Sequence, residues 1–323
     1  MPLGLRRGVV TAVLEERERL SLLEVDGIAC IAYPRLTGPV EIGDDVLVNE
    51  QARLLDLGSG GFDVLYANLT RGLGLPVEEG AHVVKLPYTP GQVSLRHKEE
   101  SGELAAGLSG LPIVLCTLHS QVAPVCAALA GRRVAYVQVQ GGSLAVSLSD
   151  TVRELREREL IRVTIAVAPC LDGDVECVSA ASALLWARAA DHDAVVCAIG
   201  PGIVGTATRY GHGGLAAAEA AWVAGALGGR AIVAPRVSEG DPRERHRGLS
   251  HHTRSVLELV GPDVEIAWPA GLDDAPAGAA IVDVTGWREA CAGLPLSHMG
   301  RGPDDDPWFF AAAYAAGRLA VRG

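Results

Sequence analysis

The sequence predicts an α/β protein in two parts: an N-terminal small antiparallel β-barrel or sandwich, then a mainly parallel, doubly wound α/β domain. Three observations carry this. Residues 8–69 hold short β-branched segments separated by turn signals, with no helical spacing. From residue 111 onward, apolar runs alternate with helix-patterned stretches, the signature of βαβ units. Those apolar runs lack polar alternation, as expected of strands covered by helices on both faces.

The β-rich part contains GVVTAVLEE, LSLLEV, IACIAY, DDVLVNEQARLLDL and FDVLYANL, punctuated by Asp26-Gly27, Gly43-Asp44 and Gly58-Ser59-Gly60-Gly61. It holds no cluster of titratable groups, so a structural or dimerising module is expected. Residues 70–110 form a Gly- and Pro-rich connector with an extended piece, HVVKLPYTPGQ, and a charged one, RHKEESGEL. The boundary falls near residue 100, giving domains 1–100 and 101–323. Strand–helix pairs then follow: IVLCTL with QVAPVCAALAG, VAYVQV with SDTVRELRERELI, RVTIAVA with VECVSAASALLWARAA, AVVCAI with LAAAEAAWVAGAL, and AIVAP with a helix from about Ser250 to Leu259. VEIAW, IVDV and GWREACAG lead to a last helix, with Asp306 as N-cap and Pro307 at its first position.

The chain has 323 residues, 49% hydrophobic and 21% charged, which excludes a disordered chain. It can bury a core without disulfide or metal staples. Twenty-eight basic residues against 39 acidic ones give a net charge of -11, a poor basis for sequence-independent nucleic-acid binding. Seven cysteines, an odd number with no CxxC pair, predict reduced buried thiols in a cytoplasmic protein. MPLGLRRGVV lacks a signal-peptide apolar region. No apolar stretch approaches the length of a membrane span.

In open parallel sheets, ligands sit beyond the carboxyl ends of the strands. The loops predicted there are rich in His, Arg, Asp and Gly. One holds His119, one Asp172 and Asp174, one Gly200, Gly202, Gly205 and Thr206. Another runs from Arg236 through Asp241, Arg243, Arg245, His246 and Arg247 to Ser250, His251 and His252. The last holds His298 and Arg301.

GPGIVG matches GxGxxG, but TATRYGHGG intervenes before the helix, and the next strand ends in Pro235-Arg236 instead of an acidic residue. An anion held by backbone amides, a structural turn and a dinucleotide site stay open, with NAD(P) disfavoured. Ser250 as N-cap puts His251 and His252 at a helix start, where positive potential favours neutral imidazole. Either can then act as general acid or base, with Asp174 or Asp241 orienting it or holding a divalent ion. Adjacent helical residues point about 100° apart, which argues against both serving one metal. His246 and His298 are further candidate ligands. The arginines can pair with an anion or with Asp241 and its acidic neighbours. Cys116 near His119 lies in an apolar run and is expected to be inert.

GPGIVGTATRYGHGG, PRVSEGDPRERHRGLSHHT and SHMGRGPDDDPWFFAAAYAAG, with GDDVLVNEQARLLDLGSGGFDVLYANL near the start, resemble a bacterial family known only as domain of unknown function 3866. That resemblance spans nearly the whole chain and implies no activity.

The residues by themselves point to a hydrolase or transferase on a small anionic or phosphorylated metabolite. Gly200, Gly202, Gly205, Thr206, Arg236, Arg245, Ser250, His119 and Arg301 would bind it. A non-catalytic metabolite-sensing module and an NAD(P)-dependent enzyme are the alternatives. A homodimer is the default assembly on general statistics.

Overall fold

The computed structural model describes residues 4–55, 61–261 and 263–322. The chain divides into two compact units, Met1–Arg96 and His97–Gly323. The first comprises β1 (Leu5–Glu16), β2 (Ser21–Val25), β3 (Ile28–Ala32), the helical turn α1 (Pro34–Thr37), β4 (Asp45–Asn49), a second turn α2 (Gln51–Leu54) and β5 (Asp63–Asn68). The strands close into a barrel in the order β1-β2-β3-β5-β4. Closure removes the unpaired strand edges of an open sheet. Val46 and Val48, two apart on β4, point inward onto Val10, Val25 and Leu65, the alternation a pleated strand imposes. Asp26 and Gly27 join β2 to β3 with φ of 53° and 77°, the paired positive angles of a tight hairpin turn. The turn expected at Gly58-Ser59-Gly60 lies outside the described residues. The connector forms a hairpin of β6 (Val83–Lys85) and β7 (Val93–Leu95).

The second unit begins with β8 (Pro112–Cys116), α3 (Val122–Ala128), β9 (Val134–Val139), α4 (Asp150–Glu157) and β10 (Val163–Val167). Then come β11 (Val175–Cys177), α5 (Ala180–Ala189), β12 (Ala194–Ile199), α6 (Ala216–Ala226) and β13 (Arg230–Ala234). A ribbon of β14 (Val237–Ser238) and β15 (Gly248–Leu249) precedes α7 (His251–Leu259), β16 (Glu265–Pro269), β17 (Ala280–Val282), α8 (Trp287–Ala290) and α9 (Pro307–Ala320). Eight strands form one sheet in the order β11-β10-β9-β12-β8-β13-β16-β17, and every pairing in it is parallel. Val175–Cys177, expected to begin a helix, instead pairs with Ile165–Val167 as an edge strand.

The sheet is buried on both faces, which explains the unbroken apolar runs. On β8, Val114 and Cys116 join the core beneath α3 and α9, while Ile113 and Leu115 join the core beneath α5 and α6. Each such fully buried Val or Leu contributes about 1.5–3 kcal/mol. Helix α9 packs so closely on α3 that a Cβ on Gly317 would lie 2.5 Å from the Val125 carbonyl oxygen. No described helix is long and apolar enough to cross a membrane, and all seven cysteines are buried.

This topology fixes where a crevice can open. Strands β8 and β12 are neighbours. Helix α3, after β8, packs with α9, while α6, after β12, packs with α5 and α7. The connections from these two neighbouring strands thus leave on opposite faces, which opens a crevice at their carboxyl ends.

Candidate functional site

The residues from Arg236 to His252 are organised by the ribbon that follows β13. Pairing of Val237–Ser238 with Gly248–Leu249 returns the excursion 239–247 to its starting point. The Ser250 amide then donates to the Arg236 carbonyl at 2.9 Å, and the Arg236 amide to Thr253 Oγ1 at 2.8 Å. Ser250 caps α7: its Oγ accepts from the His252 amide at 3.2 Å and contacts His246 Nδ1 at 2.8 Å. The N-cap predicted from sequence is therefore in place, and it starts the helix on His251 and His252.

A third chain segment enters just before α6. Gly205 and His212 form an antiparallel bridge, and Gly213 sits against Gly141, where a Cβ would lie 1.9 Å from the carbonyl oxygen. Only glycine permits that approach. It seats His212 over His252, ring centroids 3.9 Å apart and 17° from parallel. His251 lies edge-on to His212 at 5.6 Å and 4.4 Å from His252. His246 closes the group, 4.8 Å from His251 and 4.9 Å from His252. Neighbouring helical positions have thus not kept His251 and His252 apart.

Beside the imidazoles lies a group of guanidiniums. Asp241, fully buried, accepts from Arg236 Nη2 at 3.1 Å, Arg243 Nη2 at 2.9 Å and Arg301 Nη2 at 3.2 Å. Arg301 also donates to Asp306, which is held by Ser238 and the Glu239 amide. Three guanidiniums face two carboxylates, so positive charge is in excess within an acidic protein. Arg245 is exposed, lies near enough to His251 to depress its protonation, and makes no ion pair with a described residue. Arg236 Nη1 donates to His252 Nδ1 at 3.3 Å.

Burial and these charges keep the histidines neutral. Desolvation, then His251, lowers His212 to about 4. Desolvation, then Arg236 and Arg243, lowers His246 to about 3. His251 and His252 are lowered for the same first reason. His298 falls to about 3 through desolvation, Arg236 and Arg301. It stacks on Phe309 at 3.9 Å and meets Ser120 Oγ at 3.2 Å. Arg236 stays protonated, although burial brings it down to about 10. Neutral imidazoles next to fixed guanidiniums can bind an anion, exchange a proton, or offer lone pairs to a metal.

Several expected site residues are used otherwise. Asp174 is level with Thr164, at the start of β10, because the chain returns to the amino ends of the strands before β11. Its carboxylate accepts from the Thr164 amide and hydroxyl and pairs with Arg156, remote from the histidines. Asp241 is committed to three guanidiniums and its carboxyl is held far below the usual range; it positions arginines instead of exchanging protons. His119 has both nitrogens engaged, Nδ1 with the Ile199 carbonyl at 3.1 Å and Nε2 with Ser149 Oγ at 2.6 Å. It pins the crevice without facing a ligand. In the Gly200–Thr206 loop the Val204 and Thr206 amides donate to the Gly141 and Gly211 carbonyls. A Cβ on Gly200 would meet the Ser143 carbonyl oxygen at 2.2 Å, and Gly202 supplies a φ of 74°. These glycines serve close backbone packing, and α6 begins only at Ala216, so the loop does not form the dinucleotide cradle.

Among the described residues, the candidate metal group is His212, His251 and His252, with one ligand atom from each within 4.8 Å of the others. His246 and His298, the candidates from sequence, are not in it. Sequence reasoning does not single out His212; the Gly213-Gly214 pair that follows it before α6, suited to close approach, is the available signal.

Comparison with known families matches residues 29–317 to a family described as a protein of unknown function, DUF3866. No curated protein matches the chain.

Proposed function

Because the chain belongs to DUF3866, a family of unknown function, its activity has to be argued from the rim, and we propose that the rim binds a small anionic metabolite, phosphorylated or carboxylated, and transforms it as a hydrolase or transferase. The carrying observation is unspent hydrogen-bonding capacity at a buried, positively charged place. Arg236 Nε, His251 Nε2, His298 Nε2 and both nitrogens of His212 are buried without a hydrogen-bond partner among the described residues, though the Arg209 carbonyl lies close enough to favour a charge on His212. Native structures rarely leave such groups unpaired. An anion spanning Arg236 and Arg245 would accept from Arg236 Nε and from those ring nitrogens that carry a hydrogen.

Roles follow from position. Arg236 and Arg245 hold the anion, and guanidinium forks suit phosphate or carboxylate. Asp241 and Asp306 fix the directions of Arg236, Arg243 and Arg301. His251 or His252, neutral at pH 7, takes the proton of the attacking hydroxyl and returns it to the leaving group. Seven buried thiols support a reducing, cytoplasmic setting.

Orthophosphate and a panel of phosphomonoesters and carboxylates test this by thermal unfolding, with mass spectrometry for product. A ligand at 100 times its Kd stabilises by about 2.7 kcal/mol. The expected result is a shift that Arg236→Gln and Arg245→Ala together abolish. No shift with any anion, or a shift those variants leave intact, refutes the assignment. Binding without product excludes the enzyme and leaves a sensor.

A further inference from the structure

We infer that His212, His251 and His252 form a tri-histidine site for a divalent transition ion of the zinc class, with its fourth position open to an anion. The inference shares the rim with the proposed anion site but rests on separate geometry. Three imidazole donors with one open position suit zinc or cobalt, and the absence of a carboxylate from the group disfavours magnesium and calcium.

Two observations point to a ligand independently of the clustering. His212 is 6% exposed, and among the described residues neither ring nitrogen makes a well-formed hydrogen bond, although the Arg209 carbonyl lies near. His251 Nε2 is buried and likewise lacks one. A ring placed by a glycine contact as tight as Gly213 on Gly141 keeps a lone pair available, since the nearby Arg209 carbonyl can take only its N–H. The donor atoms lie within 4.8 Å of one another, whereas tetrahedral Zn–N bonds of about 2.0–2.1 Å bring nitrogens to about 3.4 Å. Loading therefore draws the rings inward by about an ångström and splays the stacked pair His212 and His252.

Arg236 governs that loading. Its Nη1 donates to His252 Nδ1, and this bond must yield whichever nitrogen ligates. Ligation through Nδ1 needs the same lone pair. Ligation through Nε2 leaves the ring hydrogen on Nδ1, facing another donor. The positive helix start and Arg236 also oppose a cation, so the open position is completed by an anion, and the released guanidinium is free to meet it.

The test uses the full chain, stripped with chelator and titrated with Co2+, read by visible absorption and calorimetry. A single equivalent with the absorption of four-coordinate cobalt is expected. His212→Asn and His251→Asn should each weaken it beyond the about 10–100-fold seen for losses outside the ligand set, with His298→Gln as a histidine control that keeps it. Arg236→Gln should tighten cobalt binding while weakening anion binding, and this arm holds if the histidine variants fail to fold by circular dichroism. No cobalt bound by the native chain, equal binding by folded His212→Asn, or no gain in Arg236→Gln overturns the site. Orthophosphate is titrated in parallel on the metal-free chain. Anion binding without cobalt binding overturns this site alone; cobalt binding without anion binding overturns the proposed function alone.

Discussion

Acidification from about pH 7 to about pH 5 is expected to strip stability from the α/β unit well before its carboxylates titrate. His212, His246 and His298 are buried and have native values of about 4, 3 and 3, against 6.5 unperturbed. Unfolded, each is protonated by about 30 to 1 at pH 5, while the native ring stays neutral. Each therefore forfeits about 2 kcal/mol, and the three together about 6 kcal/mol. The unfolded state binds more protons in this interval, so stability rises with pH. It is complete above about 6.5 and is lost as pH falls towards 4 and below. Asp241, whose native value is lowered, adds its own loss only below about 3.8. Urea unfolding with chelator present measures the effect. All five tryptophans (Trp186, Trp222, Trp268, Trp287 and Trp308) lie in the second unit, so their fluorescence reports that unit and not the barrel. His246→Gln should lose about 2 kcal/mol less on acidification. Equal unfolding free energies at the two pH values, within about 1 kcal/mol, would refute neutral burial of these rings, since the three together require about 6.

Three substitutions extend the account. Asp241→Asn leaves Arg236 buried without its counter-charge and should cost about 3–5 kcal/mol by urea unfolding; a loss under about 1 kcal/mol would show that the arginines do not depend on it. Gly213→Ala drives a Cβ into the Gly141 carbonyl, so about 1–3 kcal/mol of stability should disappear together with anion binding, and an unchanged melting temperature would contradict that packing. Asp174→Asn should leave anion-induced stabilisation as in the native chain, because Asp174 sits at the opposite end of the strands; loss of the shift would return it to the site.

How far the sequence revealed this depends on the range of each interaction. The βαβ alternation was legible because burial on both faces is written into the central strands: β8 and β12 are apolar at consecutive positions. Val175–Cys177 was misread because three residues are too few to show a period, and its partner β10 supplies what the segment itself lacks. Ser250 was legible because an N-cap bonds within two residues of itself. His212 was not, since its neighbours His251 and His252 lie far along the chain, and the contact that seats it is between two glycine backbones. Asp174, expected to orient a histidine or hold an ion at the carboxyl edge, lies at the other end of the sheet, because loop composition does not say that the chain has already turned back. The GPGIVG loop misled for a related reason: its Val204 amide is spent on Gly141, a residue outside the motif.

A difference map from crystals soaked in orthophosphate decides the central claim most directly. Density bridging the Arg236 guanidinium and the His251–His252 helix start is the expected result. A map with phosphate only at other surfaces, and with Arg236 and His252 still bonded to each other, would contradict it.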